Sequence, residues 1–128
     1  MTDVLLAAGV LQLASAALLG WPITLWRTKP ELIRKAGVVA PRRLMQLHLD
    51  QVMMGLILLA VATAFPELPT AIAIPLLIGT TLNPLLFLPL AFRPAWDEAL
   101  VYRAVTGFSF IATSAALVAL AAWVLAGR

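Results

Sequence analysis

The sequence has no cysteine, a single histidine, a single tyrosine and few charges. Without cysteine there is no thiol catalysis, no Cys-ligated zinc, no iron–sulfur cluster and no disulfide staple, and the redox compartment cannot be read. One histidine limits any imidazole chemistry to one ligand or one base. Charged residues make up 12% of the chain, about half the share of an ordinary soluble domain. The strict polar–apolar alternation of membrane barrel strands is also missing. In their place stands apolar mass: 62% of the 128 residues are hydrophobic. A soluble domain of this size keeps much of its surface wet and cannot bury so much apolar area. This excludes a soluble globular enzyme and a disordered tail. The net charge of +3 comes from basic residues gathered mainly in one stretch. That placement fits an anionic membrane face, and no nucleic-acid partner is expected.

Four apolar segments follow one another, over residues 4–26, 44–65, 68–92 and 99–126. Each is longer than the roughly 20 residues that a helix needs to cross a bilayer. The expected fold is an all-α integral membrane four-helix bundle, a single transmembrane domain over residues 1–128. The first segment begins Met1-Thr2-Asp3, with no basic n-region and too long an apolar run for a signal peptide. Residues 27–43 form the one substantial loop, with Arg27, Lys29, Arg34, Lys35, Arg42 and Arg43 against Glu31. The connection between the second and third spans carries no Lys or Arg, whereas Arg93 and Arg103 flank the next one. The positive-inside rule then puts the first and third connections in the cytoplasm and both termini outside, in a bacterial inner membrane. Trp26 and Trp96 belong to the inner interface and Trp123 to the outer one.

Ionisable and polar residues within a span are costly and point to function by default. His48 lies about one turn inside the second span, and Gln51 and Gly55 share its helical face. Gly55 opens that face to a neighbouring helix or to a flat ligand. A lone imidazole cannot build a tetrahedral metal site. It can be the single axial ligand of a haem, whose porphyrin supplies four nitrogens. The plainer alternative is an interfacial histidine bonded to a neighbouring carbonyl. Asp50 points elsewhere, about 200° around the helix from His48, and an ion pair with Arg43 or Arg103 is the expectation for it. Arg103 is expected to snorkel to the same surface. Asn83 precedes Pro84, which removes the hydrogen bond to the carbonyl of Thr80. Asn83 either repairs that backbone or turns its amide into a pocket. Thr106, Ser109 and Thr113 in the fourth span read as a helix-packing face, as do Ala16 with Gly20 and Ala112 with Ala116.

The run Leu47-His48-Leu49-Asp50-Gln51-Val52-Met53-Met54-Gly55 resembles the second helix of two families of small four-helix membrane enzymes, the styrene oxide isomerases and the hydroxylaminobenzene mutases. Their pattern is similar to His-Leu-Glu-Gly-x-x-Asn-Gly followed by an apolar run to a proline. His48, Leu49 and Gly55 match it, Asp50 stands for the Glu, and Pro66 ends the run. Thr80-Thr81-Leu82-Asn83 is similar to the third-helix segment of those families. The departures are Ala8, in a stretch that lacks the first-helix His, Met54 in place of Asn, and Phe87 in place of an aromatic hydroxyl. The resemblance implies haem b with His48 as axial ligand of the iron. It also implies Asn83 as a catalytic group that orients a small lipophilic substrate, and a homo-oligomer, a trimer, with the site near a subunit interface. The implied reaction is an intramolecular rearrangement, of an epoxide to an aldehyde or of an arylhydroxylamine to an aminophenol. Two other classes compete. One is a non-catalytic homologue that keeps the scaffold, which the departures favour. The other is a small transporter, against which stands Gln12, a residue that cannot titrate, in the first span.

Overall fold

The computed structural model describes residues 1–127. Its helices are α1 (Thr2–Thr28), α2 (Pro30–Lys35), α3 (Arg42–Ala64), α4 (Thr70–Leu85), α5 (Phe87–Phe92) and α6 (Leu100–Leu125). A 3-10 turn at Pro94–Glu98 precedes α6, and no strand forms among the described residues. Four stretches are long and apolar enough to cross a membrane: Thr2–Thr28, Arg42–Ala64, Thr70–Phe92 and Leu100–Leu125. The chain is an all-α four-helix membrane bundle.

Prolines mark many of the boundaries. Pro41 and Pro69 stand just before α3 and α4, and Pro30 opens α2, where a missing N–H costs nothing. The third span is broken at Leu86, between Pro84 and Pro89, so α4 and α5 are separate segments of one crossing. In the basic loop, α2 ends in a Schellman motif. Gly37 has φ +88°, Val38 N–H donates to Ile33 O at 3.2 Å, and Gly37 N–H donates to Arg34 O at 3.0 Å. The loop then returns to α5, where Val39 and Ala40 both donate to Ala91 O at 2.9 Å. Ile23, Ile33, Val38, Leu44 and Ala91 close this end as one apolar cluster.

Both described ends of the chain meet the connection between α3 and α4. Thr2 Oγ1 donates to Pro66 O at 2.8 Å, and Trp123 packs edge-on against Phe65 with ring centroids 5.9 Å apart. The basic loop and the 3-10 turn lie at the opposite end. Two helix pairs dominate the packing, α1 with α3 and α4 with α6. The α4–α5 span bridges them by touching α3, while α6 makes no close backbone approach to α1 or α3. A gap between α3 and α6 is the consequence.

Candidate functional site

The gap holds a cavity of about 300 Å³ between α3, the α4–α5 span and α6. Asp50 and Met54 line it from α3, Asn83 and Phe87 from the third span, and Tyr102 and Thr106 from α6. At the basic end Arg43 and Asp97 complete the wall, and Arg43 Nη2 lies 3.9 Å from Asp97 Oδ2. That is the only ion pair among the described residues, so Asp50 pairs with neither Arg43 nor Arg103. The expected pairing of Asp50 is thereby corrected. Arg43 is engaged by Gln46 Oε1 at 2.9 Å and by Asp97, and Arg103 Nε donates to the Asp97 carbonyl at 2.9 Å. Both arginines are held at the helix ends, and the Asp50 carboxyl is left on the cavity wall.

Asn83 is buried, and its amide is shared between structure and cavity. Its Oδ1 accepts from Ser109 Oγ at 2.7 Å, and its Nδ2 makes a long 3.4 Å contact to Thr113 Oγ1. Ser109 Oγ also reaches Gly79 O at 3.1 Å, and Thr113 Oγ1 donates to Ser109 O at 3.0 Å. Asn83 therefore does not repair the backbone at Pro84. Gln12 does so from α1: its Nε2 donates to Thr80 O at 3.2 Å, the carbonyl that Pro84 leaves without a helical partner. The Tyr102 hydroxyl caps the break in the third span, donating to Leu86 O at 2.6 Å.

A second cavity, of about 420 Å³, lies on the other side of the third span, with Gln12, Ser15, Gln51 and Thr81 in its wall. Gln12 Oε1 and Gln51 Oε1 are buried without a hydrogen-bond partner.

His48 is half-buried and faces α1. Its Nδ1 is 2.8 Å from Ala16 O. A carbonyl only accepts, so Nδ1 donates, and the lone pair of a neutral imidazole would then be on Nε2. Metal-binding histidines are oriented in this way, with the far nitrogen donating to a carbonyl. The imidazole thus suits axial ligation of haem iron. No group of three or more His, Cys, Asp or Glu that could hold a bare metal ion occurs among the described residues. The rest of the face does not suit a porphyrin within one chain. Gly55 is covered by α1, and a Cβ there would lie 3.1 Å from Gly9 O and 3.2 Å from Leu13. The face is open to a helix, and a helix fills it. His48 lines neither cavity.

The structure therefore separates the two residues singled out for the site. Asn83 is in the α3–α6 cavity, and His48 is at the α1–α3 seam. It brings Asn83 together with Asp50, Met54 and Phe87, the positions aligned with polar groups of the resembled families. Tyr102 was not singled out from the sequence. Its available signal was that it is the only phenol in the chain and begins the fourth span. In comparison with known proteins, no family model, no curated sequence and no solved structure matches this chain.

Proposed function

We propose that the chain takes a small lipophilic molecule from the bilayer into the α3–α6 cavity and rearranges it intramolecularly, as an isomerase. The observation that carries this reading is that the Asp50 carboxyl and the Asn83 amide share the wall of one cavity within the spans. A rearrangement of this type needs no water and no redox partner, which suits a site within lipid. For an aryl epoxide, the Asp50 carboxyl, in its protonated form, would donate to the epoxide oxygen as its bond to the benzylic carbon breaks. A hydride then shifts to that carbon, the carbonyl forms, and the proton returns to Asp50. The Asn83 amide, whose Nδ2 has only a long internal contact, orients the oxygen.

The reading extends to the surroundings. The basic end faces the cytoplasm of a bacterial inner membrane and both termini lie outside, a placement supported by the arginines and lysines of residues 27–43. The chain works as a homo-oligomer, a trimer by resemblance. Haem b, if carried on His48 Nε2, needs a second copy to complete its pocket, since α1 occupies the face within one chain. When bound, its ferric iron supplies Lewis acidity. The oligomeric contact does not run along the α6 small-residue face, because Ser109, Ala112, Thr113 and Ala116 are buried within the chain.

The test is incubation of the purified protein with an aryl epoxide and, separately, an arylhydroxylamine, followed by product analysis. Aldehyde or aminophenol forms with the native chain, and at least tenfold less with Asp50→Asn, on the scale of losing a general acid. A second reading, a scaffold that binds such molecules without turnover, is favoured by the apolar Met54 and Phe87. It predicts saturable binding with no product from either substrate.

A further inference from the structure

We propose that a pocket at the basic end, between α1 and α3, binds the phosphate headgroup of an anionic phospholipid. This pocket is separate from the α3–α6 cavity and does not depend on the isomerase reading. It measures about 560 Å³ and is walled by Trp26, Arg27, Arg42, Met45 and Gln46.

The polar side chains of that wall offer donors. An arginine has only N–H groups to offer, and so does an indole. The Gln46 carbonyl oxygen already accepts from Arg43 Nη1 at 2.9 Å, which turns its amide N–H groups toward other partners. No carboxylate stands in the wall, and Glu31, the one acid of the loop, is not part of it. Arg27 and Arg42 are exposed, and neither has an ion-pair partner among the described residues. Two unpaired guanidinium groups with two neutral side-chain donors and no carboxylate describe a receptor for a phosphate oxyanion.

Two further observations choose a lipid over free phosphate. The pocket lies at the end of α1 and the start of α3, the level at which two apolar spans would leave a bilayer, and Trp26 and Met45 are anchored on the apolar cluster that closes this end. Below it, Leu49 and Met53 follow Met45 at successive helical turns of α3, 56% and 59% exposed. That stripe gives an acyl chain an apolar track leading down from the headgroup. Basic pockets between membrane helices hold anionic headgroups for the same electrostatic reason.

The experiment is native mass spectrometry of the full chain in mild detergent, with phosphatidylglycerol or phosphatidylcholine added in equal amounts. The expected result is selective retention of phosphatidylglycerol. The double variant Arg27→Gln/Arg42→Gln lowers that retention by about 30-fold, the effect of two interfacial arginines. The double variant Arg34→Gln/Lys35→Gln removes equal charge outside the pocket and changes retention by less than about twofold. Gln46→Glu, an exposed change that leaves the fold intact, puts a carboxylate in the wall and also lowers retention. Equal losses in the two double variants would mean diffuse attraction and overturn the site. Equal retention of both lipids would overturn it too. Displacement of phosphatidylglycerol by millimolar inorganic phosphate would reassign the pocket to the free ion and overturn the lipid assignment.

Discussion

The α1–α3 pair and the α4–α6 pair both bring backbones close at glycine, but they treat their polar groups differently. Between α1 and α3, Gly9 and Gly55 face each other's carbonyls, with Leu13 and Leu59 packed around them. The polar groups nearby are only partly matched, since Gln12 Oε1 and Gln51 Oε1 have no partner. Between α4 and α6, Gly79 lies against Thr113 and Ser109, and Asn83, Ser109 and Thr113 are linked by hydrogen bonds, with the Asn83 Nδ2 contact the long one. Lipid offers helices no hydrophobic reason to associate, so packing and hydrogen bonds do that work. The second pair uses both and the first relies mainly on packing. An intramembrane polar residue is thus no mark of a site by itself. Gln12 and Gln51 also wall a cavity, and what distinguishes the other one is that Asp50 and Asn83 bring a carboxyl and an amide to the same wall.

Breaking the α4–α6 seam has the largest expected effect. In Gly79→Ala, the new Cβ overlaps Thr113 Oγ1, lies 2.7 Å from the Thr113 backbone nitrogen and 3.0 Å from Ser109 O. Backbone cannot swing aside, so the helices must separate and the Ser109 and Asn83 bonds lengthen. A loss of about 3 kcal/mol is expected, the upper range for overpacking. Unfolding in mixed micelles under rising dodecyl sulfate measures it. A loss of only about 1–2 kcal/mol, the size expected at the other seam, would show the two seams to be alike.

At the α1–α3 seam, Gly9→Ala places Cβ 2.9 Å from Gly55 O and 2.9 Å from Leu59 Cγ. The leucine can turn away and the carbonyl cannot, so the expected loss is smaller, about 1–2 kcal/mol. The same titration ranks the two variants, and the reverse order would overturn the comparison. Smaller still are the glutamines. Gln12→Leu strips Thr80 O of its donor while removing an orphaned oxygen, a net cost of about 0.6 kcal/mol, typical for a membrane hydrogen bond. Gln51→Leu removes an amide oxygen with no partner, and is expected to be neutral or stabilising. A clear loss at Gln51 would show that its oxygen is bound in the bilayer.

Span number and the basic end were legible because length and hydropathy act locally. Residues 44–65 were expected as the second span, and α3 runs Arg42–Ala64. The break at Leu86 was foreshadowed by Pro84 and Pro89, since a missing N–H acts on its own helix. What repairs it was not legible, because Gln12 is 68 residues away from Thr80. The fate of Asp50 was hidden for a related reason. Helical angles placed it away from His48, but only the position of Asp97 showed which arginine would be occupied. The face of Gly55 could be read as open without revealing that α1 fills it.

His48 is the gentlest way to sharpen the comparison, because its stability effect and its ligand effect separate. Its bond to Ala16 O is one polar link across the packing-dominated seam. His48→Ala loses that link at a cost of about 0.6 kcal/mol. His48→Gln restores an amide N–H to the Ala16 carbonyl and recovers most of that stability. Neither variant offers the lone pair of an imidazole nitrogen. If haem is ligated between copies, the native chain incubated with haem shows a Soret band, and both variants lose or shift it although Gln recovers the fold. A mere strut predicts a different pattern, with stability recovered by Gln and spectra unchanged across the three proteins. Absence of haem uptake by the native chain would leave the imidazole as a helix tie. The Asp50–Asn83 cavity would still be open to test, because it lies on another face of α3 and does not share the His48 contact.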